Sequence, residues 1–194
     1  MGYNFINSGS VYRAIAKNVV DNKVDSRDDK GVIATLKEGM IKLLDGDKIE
    51  LNGIEISKDI RADYISQITP NVAKIPEVRQ FVVNYLQQMT KRKKGYIIDG
   101  RDTTFRITPT LKLKYFYGNL EERAKRRVKQ NAELGFNTEY KEILYEVQKR
   151  DEQDMNRDFD PLHKTEDAVY IDCIELTIEE VVQKIIDLVN ERIN

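Results

Sequence analysis

The 194-residue chain has 40% hydrophobic and 34% charged residues, enough apolar content to bury one substantial core with small insertions. Its 32 basic residues against 33 acidic ones leave a formal net charge of -1, so no global field draws the chain to nucleic acid or an anionic membrane, and any anion site must come from local clustering. The single cysteine, Cys173, excludes an internal disulfide, one histidine excludes zinc-type Cys/His spacing, and no apolar run or basic leader marks a membrane span or export signal, which together fit a reducing cytoplasm.

In chain order, Tyr3 to Ile6 reads as a short strand, followed by a helix with Val11, Ala14, Ile15 and Val19 on one face. Val32, Leu36, Met40 and Leu43, at similar spacing, predict a second helix. Lys48 to Ser57 alternates apolar and polar residues around Asn52-Gly53, the signature of a type I′ hairpin and so of a small antiparallel insertion. Pro76 suits a first helical position, with Phe81, Val82, Tyr85, Leu86 and Met89 as the buried stripe behind it. The run Lys91-Arg92-Lys93-Lys94 reads as a solvated helix end rather than a nucleic-acid patch. Further strands are predicted at Tyr96 to Ile98, Leu113 to Tyr117 and Val169 to Ile171, the last ending near a buried Cys173. Asn119 with Glu122, and Thr177 with Glu180, are spaced as helix N-caps. His163 reads as a loop residue. Strands separated by helices imply crossover connections and a mainly parallel sheet covered on both faces, an α/β architecture.

Four clusters have the chemistry of an anion site. Ile97-Ile98 ends in Asp99-Gly100-Arg101-Asp102, and in open parallel sheets ligands sit beyond the carboxyl ends of strands. Arg101 offers a planar fork for a phosphate and Asp102 an acceptor for a hydroxyl or amino group, although the two also suit an ion pair in a loop. Ser8 is placed to cap the helix after the first strand, and Arg13 can reach back to an anion at that helix start or lie on the surface. Arg150, Asp154 and Arg157 fall at i, i+4 and i+7, one face of a helix, where they suit either a phosphorylated substrate or a salt-bridge ladder. Arg123, Arg126 and Arg127 form the fourth cluster. A phosphoryl-transfer site needs several arginines because the migrating group and its neighbours carry dense negative charge. A helical pair from Asn119 to Arg157, broken at Gly135, can close such residues over a nucleotide.

The motifs in order resemble the bacterial cytidylate kinases over nearly the whole chain. They are Ser8-Gly9-Ser10-Val11-Tyr12-Arg13, Ile75-Pro76-Glu77-Val78-Arg79, Asp99-Gly100-Arg101-Asp102, Leu113-Lys114-Tyr115-Phe116, Glu121 to Arg127, the element from Arg150 to Arg157, and Pro161-Leu162. The resemblance implies a P-loop nucleoside-monophosphate-kinase-like fold in a single domain over residues 1–194, with a monophosphate-binding insertion over about 25–92 and a lid over about 119–157. It implies phosphate transfer from ATP, with Mg2+, to CMP or dCMP by in-line attack and without a protein nucleophile. Ser8, Tyr12, Arg79, Asp154 and Arg157 would serve the acceptor, Arg13 and Arg101 would grip its phosphate, and Asp102 would order the pocket. Arg123, Arg127 and Arg150 would neutralise the transferring phosphate; no resident metal ligand is expected, and we expect a monomer. The family opens with a strand and a Gly-rich, lysine-bearing phosphate loop that this sequence does not contain. That first strand would lie between the strands at Tyr96 to Ile98 and Leu113 to Tyr117, so its absence is expected to leave their facing edges unpaired. Thr103-Thr104-Phe105-Arg106 also replaces the family's Ile/Met-Gly-Thr-Val, and Asn7 stands where an acid is usual. A nucleotide-binding pseudokinase or regulatory subunit is therefore the alternative to an active kinase.

Overall fold

The computed structural model describes residues 3–92, 95–100, 106–107, 116–117, 119–133, 135–162, 166, 168–169, 171–173 and 176–193. Arg101, Asp102, His163 and the stretch Leu113 to Tyr115, all singled out in the sequence, lie outside them. The chain divides into two compact units, Met1–Thr108 and Pro109–Asn194.

In the first unit, β1 (Asn4–Asn7) runs directly into α1 (Ser8–Asp21), whose predicted stripe Val11, Ala14, Ile15 and Val19 is fully buried. β1 pairs in parallel with β5 (Tyr96–Asp99), placing Asn7 opposite Asp99, so the helix start and the Asp99-Gly100 turn emerge at the same end of the pair. Between them come α2 (Asp29–Ala34), β2 (Ile41–Leu44), β3 (Lys48–Leu51), β4 (Ile54–Glu55), α3 (Asp63–Ala73) and α4 (Pro76–Arg92).

The hairpin is as expected: β3 and β4 are antiparallel, and Asn52 and Gly53 both take positive φ, 51° and 83°, as a type I′ turn demands. A Cβ on Gly53 would meet nothing within 4 Å, so Gly53→Ala incurs only the backbone penalty. It is expected to lower unfolding free energy by about 1 kcal/mol, read from urea denaturation.

The predicted second helix is shorter than its periodicity suggested. α2 stops at Ala34, Gly39 turns the chain at φ 77°, and Ile41–Leu44 becomes β2 against β3. Leu43 is thus a strand residue. The spacing of residues 32, 36, 40 and 43 fits a helix rather than an alternating strand, and pairing of β2 with β3 past the Gly39 turn overrides it. The Leu43 amide donates to the Tyr85 hydroxyl of α4 at 2.9 Å, fastening the insertion sheet to that helix. Burial pushes the Tyr85 pKa upward, and the Leu43 hydrogen bond opposes it. α3 is not among the elements expected from the sequence, and it carries Pro70 inside it.

The core of this unit gathers α1, the insertion sheet, α3 and α4, with Ile15, Ile49, Ile65, Ile75 and Leu86 among its most deeply buried side chains. α4 starts at Pro76 as predicted, and Val82 and Leu86 are fully buried.

In the second unit, β6 (Phe116–Tyr117) pairs in parallel with β7 (Ile171–Asp172), and Cys173 is buried just past β7. Among the described residues no further strand pairs with β5 or with β6. The α5 helix (Leu120–Glu133) is capped by Asn119, whose Oδ1 accepts from the amides of Glu121 and Glu122 at 2.7 and 3.2 Å. It ends at Gly135, φ 84°, where the Gly135 and Phe136 amides close on Ala132 and Asn131, and the chain returns as α6 (Tyr140–Asn156). The last helix, α7 (Ile178–Ile193), has the predicted reciprocal capping box between Thr177 and Glu180. The two parallel pairs, the antiparallel sheet and seven α-helices among the described residues make an α/β fold of the nucleoside-monophosphate-kinase kind.

Candidate functional site

The first unit brings two motifs together that are distant in the sequence. Ser8 is the first residue of α1 and is buried, but it is not the helix cap. Strand passes to helix with no loop, which puts the cap at Asn7, and the Asn7 side chain makes no capping hydrogen bond. The Asn7 Oδ1 lies instead 3.0 Å from where a Cβ on Gly9 would stand, so a larger residue at position 9 requires the Asn7 side chain to shift. Tyr12 and Arg13 follow on the next turn, both half-buried, with Tyr12 packed against the core.

Arg79 sits on α4 in line with Val82, Val83 and Leu86, at i, i+3, i+4 and i+7, so the helix that buries those residues carries the guanidinium inward with them. It is only 2% exposed. Its Nη1 donates to the Ala73 carbonyl at 3.1 Å, and its Cζ lies 5.8 Å from the centroid of the Tyr12 ring. Burying a charge costs several kcal/mol unless partners compensate it, so such a residue on a core stripe points to a use beyond packing.

Arg106 is also tied to α4. It donates through Nη2 to Gln80 Oε1 at 2.8 Å and accepts through its carbonyl from Gln87 Nε2 at 2.6 Å, beside buried Ile107. Arg106 is therefore held to α4 through both its side chain and its carbonyl. Periodicity carried no signal for this clamp.

The second unit sorts the remaining arginines. On α6, Ile143, Val147, Asp151 and Asp154 form one inward stripe, apolar at its start and acidic at its end. Arg123 of α5 meets Asp151 with both terminal nitrogens, Nη1 to Oδ1 at 3.1 Å and Nη2 to Oδ2 closer still. Asp151 lies inside the Arg150 to Arg157 element, but the helical spacing of Arg150, Asp154 and Arg157 gave it no role. Arg127 and Arg150 are exposed. Arg157 does not continue the α6 face as the i, i+4, i+7 spacing predicted. It is the residue after the helix, at φ -70° and ψ 146°, and folds back so that Nη1 donates to Asp154 Oδ1 at 3.2 Å and Nε donates to the Asp160 carbonyl. The Leu162 amide donates to the Asp154 carbonyl at 2.7 Å, fastening the segment after the helix to its end. Asp154 and Arg157 are thus paired and largely screened from solvent, while Arg150 stands apart from them in exposure.

Among the described residues, no cluster of three His, Cys, Asp or Glu side chains could hold a metal ion, and no helix is long and apolar enough to cross a membrane.

The family model described as cytidylate kinase matches residues 1–191. The chain is 52% identical to a cytidylate kinase of Mycoplasmopsis synoviae over 190 residues, covering 97% of this chain and 87% of that protein. It is 45% identical to one of Mycoplasmopsis agalactiae, covering 98% and 86%, and 37% identical to one of Bacillus subtilis, covering 98% and 86%. With motifs, fold and relatives in agreement, the chain belongs to the cytidylate kinase family of nucleotide phosphotransferases.

Proposed function

We propose that this protein transfers the terminal phosphate of ATP to CMP or dCMP in the cytoplasm, forming the diphosphate in pyrimidine nucleotide metabolism. The observation that carries this reading is the buried Arg79 guanidinium over Tyr12, which joins the two acceptor-side motifs at one place. Ser8 and Arg79, with the paired Asp154 and Arg157, are assigned to the cytosine and sugar of the acceptor, Tyr12 to acceptor binding, and Arg13 and Arg101 to its phosphate. Asp102 is assigned to ordering that pocket, and Arg123, Arg127 and Arg150 to the charge that develops on the migrating phosphoryl group. The acceptor phosphate oxygen is itself the nucleophile, so the protein's work is to position, neutralise and exclude water. Residues 1–194 act in this reading as one kinase domain, with 25–92 as the monophosphate-binding part and 119–157 as the lid.

Guanidiniums suit nucleotide phosphates, and the described residues offer no carboxylate cage, so Mg2+ fits as an ion carried by the nucleotide's phosphates and water. When bound, it neutralises charge between the donor phosphates. The pseudokinase alternative finds no support, since the relatives quoted above are named as the enzyme.

The test is ADP release with MgATP and each nucleoside monophosphate. It is run on the chain from Met1 and on the same chain joined to an upstream strand and Gly-rich loop of the family type, with CMP binding followed by calorimetry. CMP and dCMP are expected to be the preferred acceptors, with AMP and GMP inert. Failure of both forms to phosphorylate CMP, dCMP or UMP would overturn the proposal.

A further inference from the structure

We infer that Asp151 is a positioning residue for phosphoryl transfer: it holds the Arg123 guanidinium in one orientation across the α5–α6 hairpin, so that this arginine meets the transferring phosphate already in place. The inference rests on the proposed kinase reading, in which Arg123 is a lid arginine.

Three observations carry it. The first is geometric. Arg123 lies in the first turn of α5, just after the Asn119 cap, and Asp151 lies near the end of α6, so the pair joins the two helices at the open end of the hairpin, away from the Gly135 turn. The contact is fork to fork, both terminal nitrogens to both carboxylate oxygens, which fixes the plane of the guanidinium as well as its position. The second is the register of α6. Ile143 is buried and Val147 half-buried on one stripe of α6, and one turn further the same stripe carries Asp151, which meets α5. An apolar residue there would continue the apolar part of that stripe, on a hairpin where Ala124 of α5 and Ile143 of α6 are both already buried. The acid is therefore not needed to join the helices.

The third is the contrast among the arginines. Arg126 and Arg127, on the same helix, are exposed, whereas the Arg123 and Asp151 side chains are 27% and 18% exposed. Ion pairs at partly exposed sites contribute only about 0–1 kcal/mol to stability, and they order two side chains to do so. Stability is a weak reason for the pair. A preset guanidinium is a better one, because a donor already aimed at developing charge needs no reorganisation during the reaction. Asp151 also balances the charge of Arg123 before the nucleotide arrives.

The experiment compares Asp151→Ala, Asp151→Asn, Arg123→Ala and the double alanine variant, in the form that turns over CMP. Readouts are kcat, KM for CMP, melting temperature, and the Arg123 side-chain N–H signals by nuclear magnetic resonance. Asp151→Ala is expected to lower kcat about tenfold or more, leave KM for CMP within about twofold, and replace slowly rotating Arg123 guanidinium signals by averaged ones. The double variant is expected to match Arg123→Ala alone, because Asp151 acts through Arg123. Asp151→Asn, which keeps one acceptor oxygen, is expected to retain an intermediate kcat. Unchanged kcat in Asp151→Ala, losses that multiply in the double variant, or a kcat loss that only follows a fall in melting temperature would overturn the inference while leaving the kinase reading intact. A wild-type form without CMP turnover would instead overturn the kinase reading, and this inference with it.

Discussion

Replacing Arg79 with methionine is expected to lower kcat/KM for CMP by about a hundredfold or more while lowering the melting temperature by only about 2–10 °C. The two halves of that result come from one fact: the guanidinium is 2% exposed on a stripe that otherwise carries valine and leucine. Charge-assisted hydrogen bonds are worth about 1.5–3 kcal/mol each, so loss of a forked contact to the acceptor reaches a hundredfold at about 1.4 kcal/mol per factor of ten. For the folded protein the balance differs. Methionine fills the space along α4, but it leaves the Ala73 carbonyl without the donor it has in the native protein, which costs about 1–3 kcal/mol. Arg79→Lys retains charge but not the planar fork, and is expected to recover only a minor part of the activity. Steady-state kinetics with CMP beside thermal denaturation checks both halves. Near-normal kcat/KM in Arg79→Met would show that the buried arginine is structural, and the acceptor site would have to be sought elsewhere.

The second large effect is on stability. Leu86→Ala is expected to destabilise the fold by about 3–4 kcal/mol, since Leu86 is fully buried on α4 and its removal leaves a cavity. It also adjoins Tyr85, whose hydroxyl holds the Leu43 amide, so the insertion sheet should loosen with it. Ile54→Ala is the control: Ile54 is 69% exposed in β4, and its loss is expected to change stability by less than about 0.5 kcal/mol. The chain has no tryptophan, so urea unfolding is followed by circular dichroism or tyrosine fluorescence. A cost below about 1 kcal/mol for Leu86→Ala would mean that the core relaxes around the gap.

The family was legible because its motifs are short, ordered and chemically distinctive, and the relatives agree with them. Individual elements were legible where the deciding forces act over a few residues. The stripe of α1, the Asn52-Gly53 turn, Pro76 at the start of α4, and the Asn119 and Thr177 caps all depend on spacing, φ preference or a nearby amide, and all are present. Local reading erred where two patterns competed. Met40 to Leu43 satisfies a helical stripe loosely, but β3 lies alongside and pairs with it. Ser8 has the chemistry of a cap, but β1 continues to Asn7 and moves the helix start onto the serine itself.

What the sequence determined alone is thus the family, the α/β class and the starts of α4, α5 and α7. The tertiary structure decided which partner each arginine takes. Arg79 is driven inward by the stripe it shares with Val82 and Leu86 and comes to rest over Tyr12. Arg123 finds Asp151 across the hairpin, and Arg157 turns back past the end of α6 to Asp154. Guanidiniums carry no intrinsic preference among carboxylates, carbonyls and aromatic faces. Their partners are set by which helices pack together and in what register, and these depend on contacts far apart in the chain.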